Sequence, residues 1–253
     1  MDVCFECTAC GKCCHGLKLP LSVDETVAWA GNGDPVQILL EAVPWPSEPG
    51  PEEPARQQQA TRSHPARSGG LPVRIVTTLV ASFEGACPHL QPDMRCGNYD
   101  ERPRVCRIYP AEISPTVVLD PQAKACPEEA WGEDRPLLQD DAGIADPILG
   151  QLIGDHRSAM QVDVPAKRAL SRKLGLTFAA LSNEGYVVYS PDPAELVAIL
   201  RDVKDPVDTR DGLADWTIRS NRGSTLALLC DAEAAAERVT NGSAFIGFFP
   251  DAA

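Results

Sequence analysis

The spacing of the first cysteines constrains this chain more than any other feature. Cys4, Cys7, Cys10 and Cys13 follow one another at intervals of three, and Cys14 adjoins Cys13. Two residues between cysteines let a tight turn bring both sulfurs onto one tetrahedral ion, and a glycine inside the turn relieves backbone strain. Gly11 sits inside such a turn. Adjacent side chains diverge, so Cys13 and Cys14 cannot easily serve one mononuclear ion. Two metal centres, or one polynuclear cluster, follow as the expectations. Cys87, Cys96, Cys106 and Cys126 supply four more thiols. With Cys4 and Cys230 set aside, eight remain of the ten, enough for two four-thiolate sites.

The competing uses of clustered cysteine are disulfides and buried free thiols. The residues after Met1 include Asp2 and Glu6 where a secretory leader needs a basic patch and an apolar run, so the expected location is the cytoplasm. Thiols there stay reduced, and clustered ones bind metal or do redox work. Free buried thiols occur singly in cores, whereas nine of these ten lie between Cys4 and Cys126. A net charge of -13, from 23 basic and 36 acidic residues, repels phosphate backbones and anionic lipid, which argues against nucleic acid as a partner. No stretch reaches the roughly 18 apolar residues of a membrane span, so no membrane partner is expected either. At 253 residues the chain can build a core without covalent staples, which makes metal a working part rather than a substitute for burial.

Residues 1–16 read as a loop folded around a ligand. Ser22 and Glu25 form a capping box that opens a short helix through Val27 and Trp29, closed by Gly31-Asn32-Gly33. Asp34 and Pro35 are read as starting a second helix that runs to about Ala42. Seven prolines fall from Pro44 to Pro72, together with Gln57-Gln58-Gln59, and mark an exposed, partly disordered insertion over 44–72. Val73 to Phe83 reads as a strand and Thr116 to Leu119 as a second one. The fold class expected is α+β, with a loop-rich cysteine and metal-organised module over 1–130 and a small α+β domain of unread role over 131–253. Within the latter, Asp192, Pro193 and Glu195 start a helix with Leu196, Ile199, Leu200 and Val203 on one face. Thr225 to Leu229, the alanine-rich stretch after Asp231, and Ala244 to Phe249 are read as strand, helix, strand.

Phe5-Glu6-Cys7-Thr8-Ala9-Cys10-Gly11-Lys12-Cys13-Cys14 resembles the signature of the YkgJ-like, CxxCxxCC zinc- or iron-chelating family. Cys87-Pro88-His89-Leu90 is similar to that family's CPxL element. The segment from Cys96 through Tyr99 and Arg102-Pro103 to Cys106-Arg107-Ile108-Tyr109-Pro110 is similar to its C-x-x-Y-x-x-R-P-x-x-C-R-x-Y-P element. The resemblance covers roughly residues 5–126 and implies chelation of zinc or iron, with an iron-sulfur cluster as one form. Some relatives are linked to flagellin lysine N-methylation. Cys4 and Cys230 match no position of the pattern.

The candidate ligands are therefore Cys7, Cys10, Cys13, Cys14, Cys87, Cys96, Cys106 and Cys126. Several thiolates on one ion leave negative charge, which Arg102 and Arg107 are placed to offset by hydrogen bonds to sulfur. Arg104 is read as a structural partner of nearby acids. Tyr109 and Pro110 are read as shaping the turn. His15 and His89 adjoin cluster cysteines and are chemically able to replace a thiolate, though a supporting role is the default. His64 and His156 are expected in solvent and Cys230 in the core. Three functions compete: a metal-binding protein with a redox, metal-handling or regulatory role; an iron-sulfur-dependent lysine N-methylase-like enzyme; and a protein-binding domain on a structural metal. Against the enzyme stands the lack of a glycine-rich loop of the kind that often holds adenosyl cofactors.

Overall fold

The structure is a computed structural model that describes residues 2–114, 117–203 and 213–251. In chain order its elements are β1 (Val3–Cys4), β2 (Lys18–Leu21), α1 (Val23–Gly31), β3 (Val36–Pro44), α2 (Pro54–Thr61), β4 (Ser63–Ser68), β5 (Leu71–Ser82) and α3 (Arg104–Ile108). These are followed by β6 (Leu137–Asp140), β7 (Gly143–Ile144), α4 (Pro147–Val162), α5 (Val164–Lys173), β8 (Phe178–Leu181) and β9 (Gly185–Tyr189). The last are α6 (Pro193–Asp202), β10 (Thr217–Ser220), α7 (Gly223–Asp231), β11 (Ala236–Arg238) and β12 (Phe245–Gly247). The class is α+β, as the sequence implied.

A large mixed sheet runs in the order β11-β10-β8-β3-β5-β2, with β4 added to β5, β9 to β3 and β12 to β9. The β11, β10, β8 and β3 neighbours are parallel, whereas β5 pairs antiparallel with β3, β2 and β4. Strands from both sides of residue 130 thus share one sheet. A second antiparallel sheet joins β1 to β6 and β7, so the start of the chain is also stitched to residues beyond 130. Among the described residues no helix is long and apolar enough to cross a membrane.

The centre of the large sheet explains where local reading goes astray. Residues 36–44 form β3, not the helix expected from Asp34 and Pro35. Val36, Ile38, Leu39, Leu40, Ala42 and Val43 are all buried, because β3 lies inside the sheet with packing on both faces. A strand buried on both faces loses its period of two and reads as a continuous apolar run. Thr225 to Leu229 belongs to α7, which buries Thr225 and Leu229 four residues apart and leaves Leu228 exposed. The alanine-rich stretch that follows contributes β11, which pairs with the open edge of β10.

Other expectations meet the structure directly. The Ser22 and Glu25 capping box is formed at α1, β5 covers Leu71–Ser82, and α6 starts on Asp192. The 44–72 stretch contains α2 and β4 and is built onto β5 over six residue pairs from Ser63 to Ser68. Arg74 fastens it by donating to the Ser63 hydroxyl and to the Ala60 and Ser63 carbonyls. Of the short strand expected at Thr116 to Leu119, Thr116 lies outside the described residues and residues 117–119 are not strand.

Candidate metal centre

The cysteine loop is shaped by one glycine. Gly11 has φ +67°, in the left-handed region that favours glycine, and leads into a 3-10 turn over Lys12–Cys14 closed by the Cys14 N–H donating to the Gly11 carbonyl. A Cβ at Gly11 would stand 2.8 Å from Met94 Cε and 3.0 Å from the Met94 carbonyl. The missing side chain therefore admits the loop that carries Cys87 and Cys96. That loop is strapped down by the Cys87 N–H donating to the Cys14 carbonyl at 2.7 Å and by a backbone bridge between His15 and Ala86. A further bridge between Leu90 and Cys96 folds it back on itself.

Cys106 is delivered by α3, whose position is fixed from α1. Besides completing its own capping box, the Glu25 carboxylate accepts the Arg104 N–H at 2.7 Å, and the Arg104 guanidinium donates to Ser22 Oγ at 3.1 Å. A carboxylate on the first N–H groups of a helix is favourable, so one acid organises two helix starts. Val105 and Ile108 are buried, which sets the rotation of α3. Just after it, the Tyr109 hydroxyl accepts the Ala125 N–H at 2.7 Å and is hydrogen-bonded to the Cys126 thiol. Tyr109 thus joins the Cys106 helix to the Cys126 segment.

The electrostatics divide the thiols. Cys13 is pushed up to about 12, first by burial and then by Cys14, Cys7 and Cys10. Cys126 is raised by burial, opposed by the Tyr109 hydrogen bond, with Cys13, Cys10 and Cys7 as its thiol neighbours. Cys106 is pushed up to about 12 by burial and then by Cys14, Cys87, Cys13 and Cys96. Cys14 is raised by burial, opposed by a hydrogen bond from Cys13, with Cys87, Cys96 and Cys10 beside it. Cys87 is raised by burial, opposed by the His89 N–H, with Cys96 and Asp34 adding to the rise. Two overlapping neighbourhoods emerge, Cys7, Cys10, Cys13 and Cys126 and then Cys14, Cys87, Cys96 and Cys106, with Cys10 also beside Cys14 and Cys13 also beside Cys106. Among the described residues no three His, Cys, Asp or Glu side chains are arranged to hold an ion. The grouping therefore describes which thiols feel one another's charge, not a coordination polyhedron. Thiols this close repel once ionised, and a bound cation removes that repulsion. Their all-sulfur chemistry suits zinc and iron-sulfur centres and disfavours magnesium or calcium.

Two cavities meet at the vicinal pair. One, of roughly 390 Å³, is lined by Cys13, Cys14, Cys87, Cys96 and Cys106 against an apolar wall that includes Leu17, Trp29 and Phe83. The other, of roughly 700 Å³, is lined by Cys7, Cys10 and Cys126 together with Cys13, Cys14, Cys96 and Cys106. Arg102 borders both cavities, with its guanidinium stacked 3.7 Å from the Tyr99 ring centre, and Arg107 borders the larger one. His15 Nδ1 is 3.1 Å from the Gly11 carbonyl, and His89 lies edge-on to Trp29 with Nε2 3.4 Å from Asp34. Cys4 lies in β1, paired with Leu137.

Three placements correct the sequence reading. His64 is buried on β4 beside Trp216, because the strand turns it toward the core. His156 is buried on α4, and Cys230 is exposed on α7. Sequence reasoning also missed the Tyr109 hydroxyl as a partner of Cys126. Only its place three residues after a candidate ligand hinted at that role.

No curated protein and no solved structure matches the chain. A family model named CxxCxxCC, described as "putative zinc- or iron-chelating domain", matches residues 6–127 and spans all eight clustered cysteines. Over those residues, just under half of the chain, the sequence is similar to the CxxCxxCC family of zinc- or iron-chelating domains.

Proposed function

We propose that this protein holds zinc or iron through eight thiolates in two sets of four, and that the loaded centres are its working part in a redox, metal-handling or regulatory role. Cys7, Cys10, Cys13 and Cys126 make one set, and Cys14, Cys87, Cys96 and Cys106 the other. The observation that carries the reading is that Cys13 and Cys14 line both of two adjoining cavities, with Cys87 on the smaller alone and Cys7, Cys10 and Cys126 on the larger alone. Adjacent side chains point apart, so the pair divides between two centres instead of crowding one. As single ions the metals would supply Lewis-acid or structural chemistry; as iron-sulfur clusters they would supply one-electron chemistry.

The chain's own residues do the rest. Glu25 and Arg104 hold the Cys106 helix, Gly11 lets the two cysteine loops approach, and the Tyr109 hydroxyl supports Cys126 as a thiolate. Arg102 and Arg107 bring positive charge to the cavity walls, where it offsets excess thiolate charge. Residues 1–130 are the metal-holding unit in this account, and the later half buttresses it through the shared sheet. A cytoplasmic setting keeps the thiols reduced and available.

Purification of the full chain without oxygen, followed by its visible spectrum and its zinc, iron and sulfide content, tests the proposal. A brown protein with iron and sulfide assigns clusters, and a colourless one with about two zinc per chain assigns two four-thiolate ions. Metal-free protein that takes up neither metal on reconstitution would overturn it.

A further inference from the structure

The smaller cavity is built from more than thiols. Leu17 and Leu19 line it from the β2 edge of the large sheet, Trp29 from α1, Phe83 from the end of β5, Val105 from α3 and Ile113 from the segment that follows. All six belong to the main hydrophobic core or pack against it, so the wall is backed by the sheet and two helices. Thiolate coordination does not call for this wall: an ion bonded to sulfur at about 2.3 Å needs no lining of aromatic and aliphatic carbon. At roughly 390 Å³ the space falls in the range of small-molecule sites, which combine an apolar lining with a few placed polar groups.

The polar groups on this wall are mostly donors. Trp29, 5% exposed, stacks on Phe83 with ring centres 6.4 Å apart and meets His89 edge-on at 4.9 Å, and all three line the cavity. Among the described residues the Trp29 Nε1–H is buried without a hydrogen-bond partner; Trp45, Trp131 and Trp216 share that lack, but none of them lines either cavity. Indole nitrogen only donates, so it favours an acceptor on whatever lies against it. Charge points the same way. In a chain of net charge -13, Lys12, Arg102 and Lys124 line the cavity against a single carboxylate, Glu112, which Lys124 already holds at 2.6 Å. Among the described residues Arg102 donates only to the Tyr99 carbonyl, at 3.0 Å, while stacked on the Tyr99 ring, and Lys12 is exposed.

We infer that the smaller cavity binds a small organic anion of the aryl-alkyl carboxylate class. The flat apolar body packs against Trp29 and Phe83, and the carboxylate oxygens accept from the donors of the wall, chief among them Arg102 and Lys12. Aromatic and aliphatic carbon supplies the affinity, and the basic side chains select an anion over a cation of the same shape. The inference goes beyond the metal reading and does not rest on it, since binding requires neither two thiol sets nor a particular ion.

The test titrates the full chain, as purified, with phenylbutyrate and follows binding by calorimetry and by tryptophan emission. The expected result is saturable binding of one molecule per chain with a dissociation constant below about 1 mM. Phenylbutylamine, which has the same body and the opposite charge, should bind at least roughly tenfold more weakly. Lys12→Gln combined with Arg102→Gln removes that preference. Leu17→Trp and Ile113→Trp, which fill the cavity from two parts of its wall, each abolish binding, and Trp29→Phe abolishes the emission change. Absence of saturation by about 10 mM, or equal binding of the acid and the amine, would overturn the assignment on the unaltered chain alone. Undiminished binding by both filling variants, with native circular dichroism, would overturn it as well. The metal content is not read in this test, so its failure leaves the metal reading standing.

Discussion

The sheet and the cysteine region obtain their order in opposite ways. In β3 and β5, Ile38, Leu40, Ala42, Ile75, Leu79 and Ala81 are sealed from solvent at 1% exposure or less, and their burial alone can hold the strands. The cysteine region rests on a smaller buried cluster that includes Ile108, Ala111 and Leu119, while Glu6 to Ala9 and Gln91 to Arg95 are exposed and its eight clustered thiols are partly buried or exposed. The contrast teaches that the sheet is ordered by burial, whereas on the function proposed above the cysteine loops would be completed by bound metal.

Stripping the metal should therefore break the contrast most visibly. A structural four-thiolate zinc site contributes on the order of 10 kcal/mol to the segment that it organises. Hydrogen exchange after chelation should show protection lost over residues 5–16 and 84–130 while β3 and β5 stay protected. Uniform loss across the sheet would show that the scaffold is not self-sufficient.

The converse perturbation is Leu40→Ala, at a side chain 1% exposed in the middle of β3. It should cost about 2–5 kcal/mol in urea unfolding of the full chain, as buried leucine truncations do. Metal content below the transition should stay unchanged, and a loss of metal without a loss of stability would reverse the roles assigned to the two regions.

His64 sharpens the sheet side of the comparison through pH. Burial, with Arg168 and Arg74 nearby, lowers it to about 4 from 6.5. The unfolded chain binds the proton more tightly, so the stabilisation is fully present above pH 6.5 and is lost as pH falls toward 4. The loss is on the order of 3 kcal/mol. In denaturant titrations at stepped pH, His64→Leu should flatten that acid limb. An unchanged slope would place the acid sensitivity elsewhere.

The smallest expected effect isolates one hydrogen bond in the cysteine region. Tyr109→Phe removes the hydroxyl that bonds Cys126 and accepts the Ala125 N–H. The loss should be about 1–2 kcal/mol in the affinity of one of the two metal equivalents, read by competition titration. Equal weakening of both equivalents would mean that Tyr109 serves the general fold and not one set.

How much of this was legible in the sequence depended on whether the signal was local. The Ser22 and Glu25 box, the start of α6 on Asp192 and the strand after Pro72 are written in neighbouring residues, and each formed as read. The cysteine spacing is local in the same way, and the zinc- or iron-chelating family model matches over it. β3 and α7 were misread because short apolar runs lose their period when tertiary packing decides which faces are covered. Glu25 serving both its own helix and Arg104, 79 residues away, has no local signature. The same holds for the surroundings of Cys126, which lies within charge reach of Cys7, Cys10 and Cys13 across more than a hundred residues of chain. His64 misled because a proline-rich neighbourhood suggested solvent, while pairing with β5 turned it inward.

The most direct test of the account is the sulfur coordination of the bound metal, measured by X-ray absorption on the intact, anaerobically loaded chain. The expected result is metal surrounded by about four sulfur neighbours, at zinc- or iron-thiolate distances near 2.3 Å, with Cys126→Ser and Cys87→Ser each lowering the metal content by about half. Metal bound mainly through nitrogen or oxygen, or the eight thiols found joined as S–S bridges, would contradict it.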